Sequence, residues 1–140
     1  MLVEMAMSNL NMVKQYVAAV ERFDVGAAEK LMGEEMTFTE LPNRIRPKGG
    51  MDDRAAMLVG LQRAGEKKVL SSQRYILDDA IETAERVVIE GRWEGTLAVA
   101  MGTLQPGDIM VAHMCMIFGI EDGKIAWQRN YDCYEDFSAK

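Results

Sequence analysis

The sequence contains few of the residues on which most catalytic and metal-binding motifs depend. It has two cysteines, Cys115 and Cys133, and one histidine, His113. Two cysteines are too few for a disulfide framework, and we expect both to be reduced thiols in a cytoplasmic protein. Because the single histidine has no Cys or Glu at ligand spacing, we expect no metal site, and nothing else in the sequence indicates a cofactor.

Features of membrane proteins, exported proteins and nucleic-acid-binding proteins are also missing. No run of about 18 or more apolar residues occurs, so no membrane span is predicted. The start, "MLVEMAMSNL", has no basic flank and carries Glu4, unlike a signal peptide. A formal net charge of -6 argues against a nucleic-acid partner, which would need a basic surface.

Motifs for nucleophilic catalysis and phosphate binding are absent as well. The sequence has no G-x-S-x-G motif and no Cys–His pair at a suggestive spacing. The segment "MGTLQPGD" at 101–108 has two glycines, but it lies between two predicted strands and not before a helix. Proton transfer by a carboxylate, a tyrosine or a histidine is the chemistry that the remaining residues support.

The 140 residues are the length of a single domain, and we expect one domain over 1–140 with a frayed start at 1–7. Helical patterns occupy the first half of the chain. Ser8 is a suitable N-cap for a helix with one apolar face, formed by Leu10, Val13, Tyr16, Val17 and Val20. Asp24 caps a short second helix that we expect to end at Gly33. A strand follows at 35–41 and a loop at 42–50. A third helix is predicted from Asp52 or Asp53 to Gly65.

Strand patterns occupy the second half, at about 69–78, 85–99, 108–120 and 124–133. Turn residues separate them at 104–108 and 121–123. Three helices followed by antiparallel strands predict an α+β fold in which the helices pack across one face of a single curved sheet.

One carboxylate falls on an apolar strand face. In "EMTFTEL", the two-residue period places Met36, Phe38 and Glu40 on the same side. A carboxylate among apolar side chains is poorly hydrated, which suits it to proton transfer. The alternative is that Glu40 turns to water, because it lies at the end of the strand beside Pro42.

The last strand carries a second polar group of residues. Gln128, Asn130 and Asp132 share one face, and aromatic residues follow at 131–137. Asn130 and Asp132 together would present a hydrogen-bond donor and an acid or base to a ligand. The alternative is an exposed polar edge of the sheet. His113 is a candidate general base, although a lone histidine more often has a structural role.

The strand "IMVAHMCMIF" is apolar on both faces. Helices can cover the face of Met114, and the opposite face contains Val111, His113, Cys115 and Ile117. Because a large exposed apolar patch is a sign of an interface, we expect this opposite face to form a homodimer.

Three segments resemble the NTF2-like superfamily, and more narrowly its SnoaL-like branch of polyketide cyclases, ketosteroid isomerases and limonene epoxide hydrolases. They are "VERFDVGAAEKLMGEEMTFTELP" at 20–42, "RWEGT" at 92–96 and "FGIEDGKIAWQRNYDCYEDF" at 118–137. The resemblance implies a cone-shaped, cystatin-like α+β fold with N-terminal helices on a curved, mostly antiparallel sheet. It also implies an apolar pocket closed by the helices, and a homodimer.

The resemblance to individual enzymes differs from residue to residue. Tyr16 matches the helical tyrosine of the isomerases. At the position of their Asp base this sequence has Glu40 or Leu41, and at the position of their second Asp it has Met114 or Cys115. The epoxide hydrolase positions hold Phe38, Glu40, Val88 and Asn130 in place of its Tyr, its Asn and both acids, so that reaction is not expected. Cyclases of the SnoaL type need one acid or base, a role that Asp132, Glu40 or His113 would fill.

The resemblance also leaves two alignments for strand 85–99. Aligning on "ERV" turns Arg86 and Val88 into the pocket, whereas aligning on "RW" turns Val87, Ile89 and Trp93 inward. The second alignment agrees with the apolar periodicity, and we favour it.

The predicted function is acid–base chemistry, such as isomerisation, cyclisation or dehydration, on a small lipophilic substrate. Asp132 and Glu40 are the expected proton carriers, with Tyr16 and Asn130 as hydrogen-bond donors. The alternative is a non-catalytic module that binds a lipophilic ligand.

Overall fold

The structure is a computed structural model that describes residues 7–138. The frayed start predicted at 1–7 lies outside the described residues, apart from the exposed Met7. In chain order the elements are α1 (Asn9–Glu21), α2 (Val25–Glu29), β1 (Met32–Glu40), β2 (Gly50–Asp53), α3 (Arg54–Ala64), β3 (Leu70–Glu82), β4 (Arg86–Leu97), β5 (Ile109–Glu121) and β6 (Lys124–Tyr134).

Each helix begins at a side-chain cap. Ser8 Oγ accepts from the Asn11 amide at 3.1 Å, and carboxylate oxygens of Asp24 and Asp53 accept in the same way at the starts of α2 and α3. Such caps satisfy amides that have no partner within the helix. The helix starts were therefore predicted correctly, with Asp53 and not Asp52 as the third cap.

The predicted end of α2 at Gly33 is wrong. The helix ends at Glu29, and Gly33 already belongs to β1. A Cβ atom on Gly33 would lie 3.1 Å from the Ile125 carbonyl oxygen, so this glycine permits close approach of β1 to β6. It is a strand-contact glycine and does not stop the helix.

The six strands form one curved sheet that does not close, in the order β2-β1-β6-β5-β4-β3. All neighbouring pairs are antiparallel except β1 and β6, which are parallel. The α+β class and the mostly antiparallel sheet are confirmed. β2 was not predicted, and β3 continues to Glu82, past a register shift between Leu77 and Asp79.

The core lies between the helices and the concave face of the sheet. Val13, Tyr16 and Val17 of α1 are buried, as the helical pattern predicted. Val87 and Ile89 of β4 are fully buried on the same side as Phe118 of β5, which confirms the alignment that turns them inward. No helix among residues 7–138 is long and apolar enough to cross a membrane.

Candidate active site

The helices and the concave face enclose an inner cavity of about 270 Å³. Its wall is mainly apolar, with Tyr16 and Val17 from α1, Leu61 from α3 and Met116 from β5. Asn130 of β6 is among its few polar lining residues. A cavity of this kind holds a ligand by burying its apolar surface and orients it with few polar contacts.

A second, outer cavity of about 220 Å³ lies on the same face of the sheet. Phe38, Tyr75 and Asn130 line both cavities, so the two are adjacent. The other residues that line the outer cavity are Glu40, Gln73, Trp93, Ala112, Met114, Asp132 and Tyr134. The apolar inner cavity thus lies next to a cavity with polar and aromatic walls.

Asp132 is the carboxylate in this site without a full set of hydrogen bonds. It lies opposite Met114 of β5, and its Oδ1 atom is buried with no hydrogen-bond partner among the described residues. Burial and then the nearby Glu40 carboxylate raise the pKa of Asp132 to about 6, while the Asn130 side chain acts in the opposite direction. A carboxyl group with such a pKa exchanges protons near neutral pH.

The amide of Asn130 is oriented by its neighbour on β6. Gln128 Nε2 donates to Asn130 Oδ1 at 2.9 Å, and both residues are buried. Because the side-chain oxygen of Asn130 accepts this bond, its side-chain NH2 group can donate to Asp132 or to a ligand.

Three tyrosines in the two cavities stay protonated. Burial raises the pKa of Tyr16 to about 12. Burial, followed by the Asp132 charge, also raises the pKa of Tyr75 and of Tyr134. All three are therefore neutral hydroxyl groups at physiological pH, able to donate a hydrogen bond.

Glu40 has partners that Asp132 does not have. Its side chain is only 16% exposed, so it does not turn to water. Oε1 accepts from Asn43 Nδ2 at 3.0 Å, and Oε2 lies 3.4 Å from Arg46 Nη1. Arg46 also pairs with Asp52 at 3.1 Å, and its guanidinium occupies the space where Gly50 has no side chain. Glu40 is thus held in an ion-pair network at the edge of the outer cavity.

The aromatic wall of the outer cavity is fixed by hydrogen bonds. Trp93 Nε1 donates to Gln73 Oε1 at 2.8 Å, and Gln73 Nε2 donates to the Val20 carbonyl of α1 at 2.9 Å. The rings of Trp93 and Tyr134 meet edge to face, 6.2 Å apart at 76°. Two perpendicular rings form a rigid corner in the wall.

His113 lies on the opposite, convex face of the sheet. Its side chain is 58% exposed, and Nε2 lies 2.9 Å from Glu135 Oε2. It therefore does not line the cavities, and its candidacy as a general base there is wrong. Among residues 7–138, no cluster of three His, Cys, Asp or Glu side chains is suited to hold a metal ion.

Sequence reasoning placed part of this site. Glu40, Asn130 and Asp132 line the outer cavity, and Tyr16 lines the inner one. The Arg46–Asp52 pair and the residues of β3 were missed. Gln73 and Tyr75 line the outer cavity from β3, but residues 71–74 are all polar, so the sequence shows no apolar alternation there. Arg46 lies in a proline- and glycine-rich segment with no periodicity, so nothing indicated its direction.

Comparison with known families finds a match to a family described as "SnoaL-like domain", over residues 13–128. Comparison with curated proteins finds no significant match.

Solved structures with this fold are similar in shape and distant in sequence. IdmH from Streptomyces antibioticus, described as a "putative polyketide cyclase", has a TM-score of 0.71 at 16% identity, covering 88% of this chain and 90% of its own. An NTF2-like protein from Anabaena variabilis has a TM-score of 0.69 at 16% identity, covering 100% and 99%. A protein with a ketosteroid isomerase-like fold from Catenulispora acidiphila has a TM-score of 0.69 at 15% identity, covering 89% and 86%. The architecture is therefore NTF2-like.

Proposed function

The chain belongs to the family of SnoaL-like domains, and we propose that it is an enzyme that moves protons within a small lipophilic substrate. The reaction class is isomerisation, cyclisation or dehydration, each of which needs a positioned acid or base and no external oxidant. The inner cavity supports a lipophilic substrate, because its wall is mainly apolar.

The observation that carries the proposal is the buried Oδ1 of Asp132 beside a cavity, with no hydrogen-bond partner in the part of the chain that the structure describes. A buried carboxylate that lacks a partner destabilises the protein, and active sites are where such groups concentrate. Because its pKa is about 6, most Asp132 side chains are ionised at neutral pH and ready to accept a proton. Asp132 therefore acts as the base that takes the proton and then returns it as the acid.

The other site residues assist this transfer. Asn130 and Tyr16 donate hydrogen bonds to the oxygen on which negative charge develops. Glu40, held by Asn43 and Arg46, is the second proton carrier. Its negative charge also helps to raise the pKa of Asp132. Hydrogen bonds to developing charge in a site shielded from water contribute more than they do in water.

A generic probe of base catalysis tests the proposal without knowledge of the substrate. The probe is 5-nitrobenzisoxazole, a flat apolar molecule whose ring opens when a carboxylate removes its C–H proton. We expect turnover faster than with acetate in solution, with a rate that falls below pH about 6 as Asp132 takes up its proton.

The matched variants are Asp132→Asn and Asp78→Asn, which remove one carboxylate each, inside and outside the site; Asp78 is exposed on β3. Turnover is expected to disappear in the first variant and to persist in the second. Equal rates for wild type and Asp132→Asn would contradict the assignment of the base.

The second candidate function is a non-catalytic module that binds a lipophilic ligand. The mainly apolar wall of the inner cavity favours it, and it needs no reactive group. Mass spectrometry under native conditions would identify a ligand that copurifies with the protein. A tightly held ligand, together with no turnover of the probe or of that ligand, would favour the binding module.

The protein is proposed to form a homodimer in the cytoplasm through the convex face of the sheet. Ile109 and Tyr131 on this side are exposed, and Ile117 is half-buried. The face is not purely apolar, because Arg86 and Arg129 each lie 5.2 Å from the centre of the Trp127 ring. An apolar centre with arginines and aromatic rings has the composition of many protein interfaces.

A further inference from the structure

We propose that the outer cavity binds the ammonium group of an organic cation, with the apolar body of the same molecule in the inner cavity. The substrate class is then an amphiphilic amine or quaternary ammonium compound. This inference rests on the proposed function, because it assigns a substrate class to the same site, but its test is a binding measurement that does not require catalysis.

The walls of the outer cavity are the first support. Phe38, Tyr75, Trp93 and Tyr134 supply four of its ten lining residues. The face of an aromatic ring carries partial negative charge and attracts an alkylated ammonium group within about 6 Å. The hydrogen bond to Gln73 holds Trp93 in place against Tyr134, so these two perpendicular rings need not be ordered when a ligand binds.

The charge of the lining is the second and independent support. Glu40 and Asp132 line the outer cavity, and none of the described Lys, Arg or His residues does. Arg46, which pairs with Glu40, is outside the lining and is paired with Asp52 as well. An organic cation would supply the counter-charge that Asp132 Oδ1 does not receive from the described residues. A carboxylate or phosphate ligand would instead meet like charge.

The shared residues make one molecule sufficient for both cavities. Phe38, Tyr75 and Asn130 line each of them, so the two cavities are adjacent, and a ligand that passes these side chains would occupy both. A positive charge beside Asp132 also acidifies adjacent C–H bonds of the ligand. The proton that leaves such a carbon goes to the Asp132 carboxylate and returns to another atom of the same molecule, so the reaction remains balanced without a redox partner.

Binding should depend on pH in a defined direction. The titratable groups that face Asp132 are Glu40 from β1, Tyr75 from β3 and Tyr134 from β6, and the two tyrosines remain neutral. A cation binds the ionised carboxylate more tightly than the protonated acid. With a pKa of about 6, affinity should rise by up to about tenfold between pH 5 and pH 7.5.

The test compares choline with 3,3-dimethylbutan-1-ol, which has the same shape with carbon in place of the charged nitrogen. Binding is followed by NMR through the indole N–H signals of the two tryptophans. We expect choline to bind at least about tenfold more tightly than the alcohol at pH 7.5. Choline should shift the Trp93 signal and leave Trp127, which lies on the convex face under two arginines, unchanged.

Matched variants test whether the preference for choline depends on the aromatic wall of the outer cavity. Trp93→Leu should abolish the preference for choline, Trp93→Phe should retain part of it, and Trp127→Leu should leave it intact. Asp132→Asn should remove the pH dependence. The comparison of the two ligands on wild-type protein does not depend on whether any variant folds.

Equal affinities, tighter binding of the alcohol, or no binding of choline at millimolar concentration would each overturn the cation site. None of these results would affect the proposed proton transfer, which the benzisoxazole assay tests separately. Conversely, choline binding without turnover of the benzisoxazole probe would leave the cation site standing and remove the enzymatic proposal.

Discussion

Asp132→Asn is expected to make the protein more stable at neutral pH while removing its activity. Asn resembles the protonated carboxyl group in size and carries no charge. The wild-type side chain is ionised at pH 7, where Glu40 repels it and its Oδ1 atom is buried without a partner among residues 7–138. The substitution removes this unfavourable charge and keeps the shape of the site.

The magnitude follows from the two pKa values of Asp132. Its pKa is 3.8 as an ordinary group and about 6 in the folded protein. At 1.36 kcal/mol for each pH unit, the difference corresponds to about 3 kcal/mol of lost stability when the group is ionised. Because the side chain keeps some contact with solvent, we expect a gain of about 1–3 kcal/mol in the variant. That corresponds to a rise in Tm of roughly 3–9 °C for a domain of this size.

The sign of the pH dependence distinguishes this effect from an ordinary change in packing. Well below pH 4 both the folded and the unfolded chain are protonated at Asp132, so the ionisation penalty is absent. Between about pH 4 and pH 6 the unfolded chain ionises first, which lowers the stability of the wild type relative to the variant. Above pH 6 the difference is constant.

Thermal and urea unfolding at pH 4, 5, 6 and 7.5 would measure this difference, with Asp78→Asn as the control for a lost surface charge. That control should change stability little, because Asp78 is exposed. A variant that is no more stable than the wild type at pH 7.5, or a difference that does not change with pH, would refute the reasoning.

Three further outcomes are expected. Tyr16→Phe should lower turnover about tenfold or more, because it removes a donor to developing charge, while the unfolding midpoint changes little; unchanged turnover would exclude this role. Gly91→Ala should destabilise the protein by about 1–3 kcal/mol in urea unfolding, because its Cβ would collide with the Ile76 carbonyl. The same substitution at Gly60, which faces open space on α3, should instead stabilise it by about 0.5–1 kcal/mol. Light scattering at micromolar concentration should give the mass of a dimer, and Ile117→Asp should give a monomer; a monomeric wild type would contradict the predicted interface.

The regular elements could be predicted because local patterns determine them. The buried face of α1 with Val13, Tyr16 and Val17 follows from a helical period, and the alternation of residues in β4 follows from a strand period. β2 was missed because its four residues are too few to show a period. The end of α2 was misplaced because Gly33 does not end a helix; a glycine there allows β1 to lie close to β6.

The site was less predictable because its properties depend on partners from distant parts of the chain. Period 2 placed Glu40 and Asp132 on the concave face, but it treated them alike. Arg46 is what distinguishes them, since it pairs with Glu40, whereas Asp132 has no cation partner among residues 7–138. The direction of Arg46 follows from the gap at Gly50, which only the folded structure reveals.

The parallel pairing of β1 with β6 has a consequence for how the chain folds. Residues around 37–40 must meet residues 127–130, so most of the chain has to be available before this contact forms. Contacts of such high sequence separation slow folding, because the entropy of closing a long loop is lost before any contact is gained. During synthesis, the edge of β1 that pairs with β6 therefore stays unpaired while β3, β4 and β5 leave the ribosome. The last of the described strands joins the two halves of the sheet, and the outer cavity, which includes Asn130 and Asp132, comes into existence only at that step.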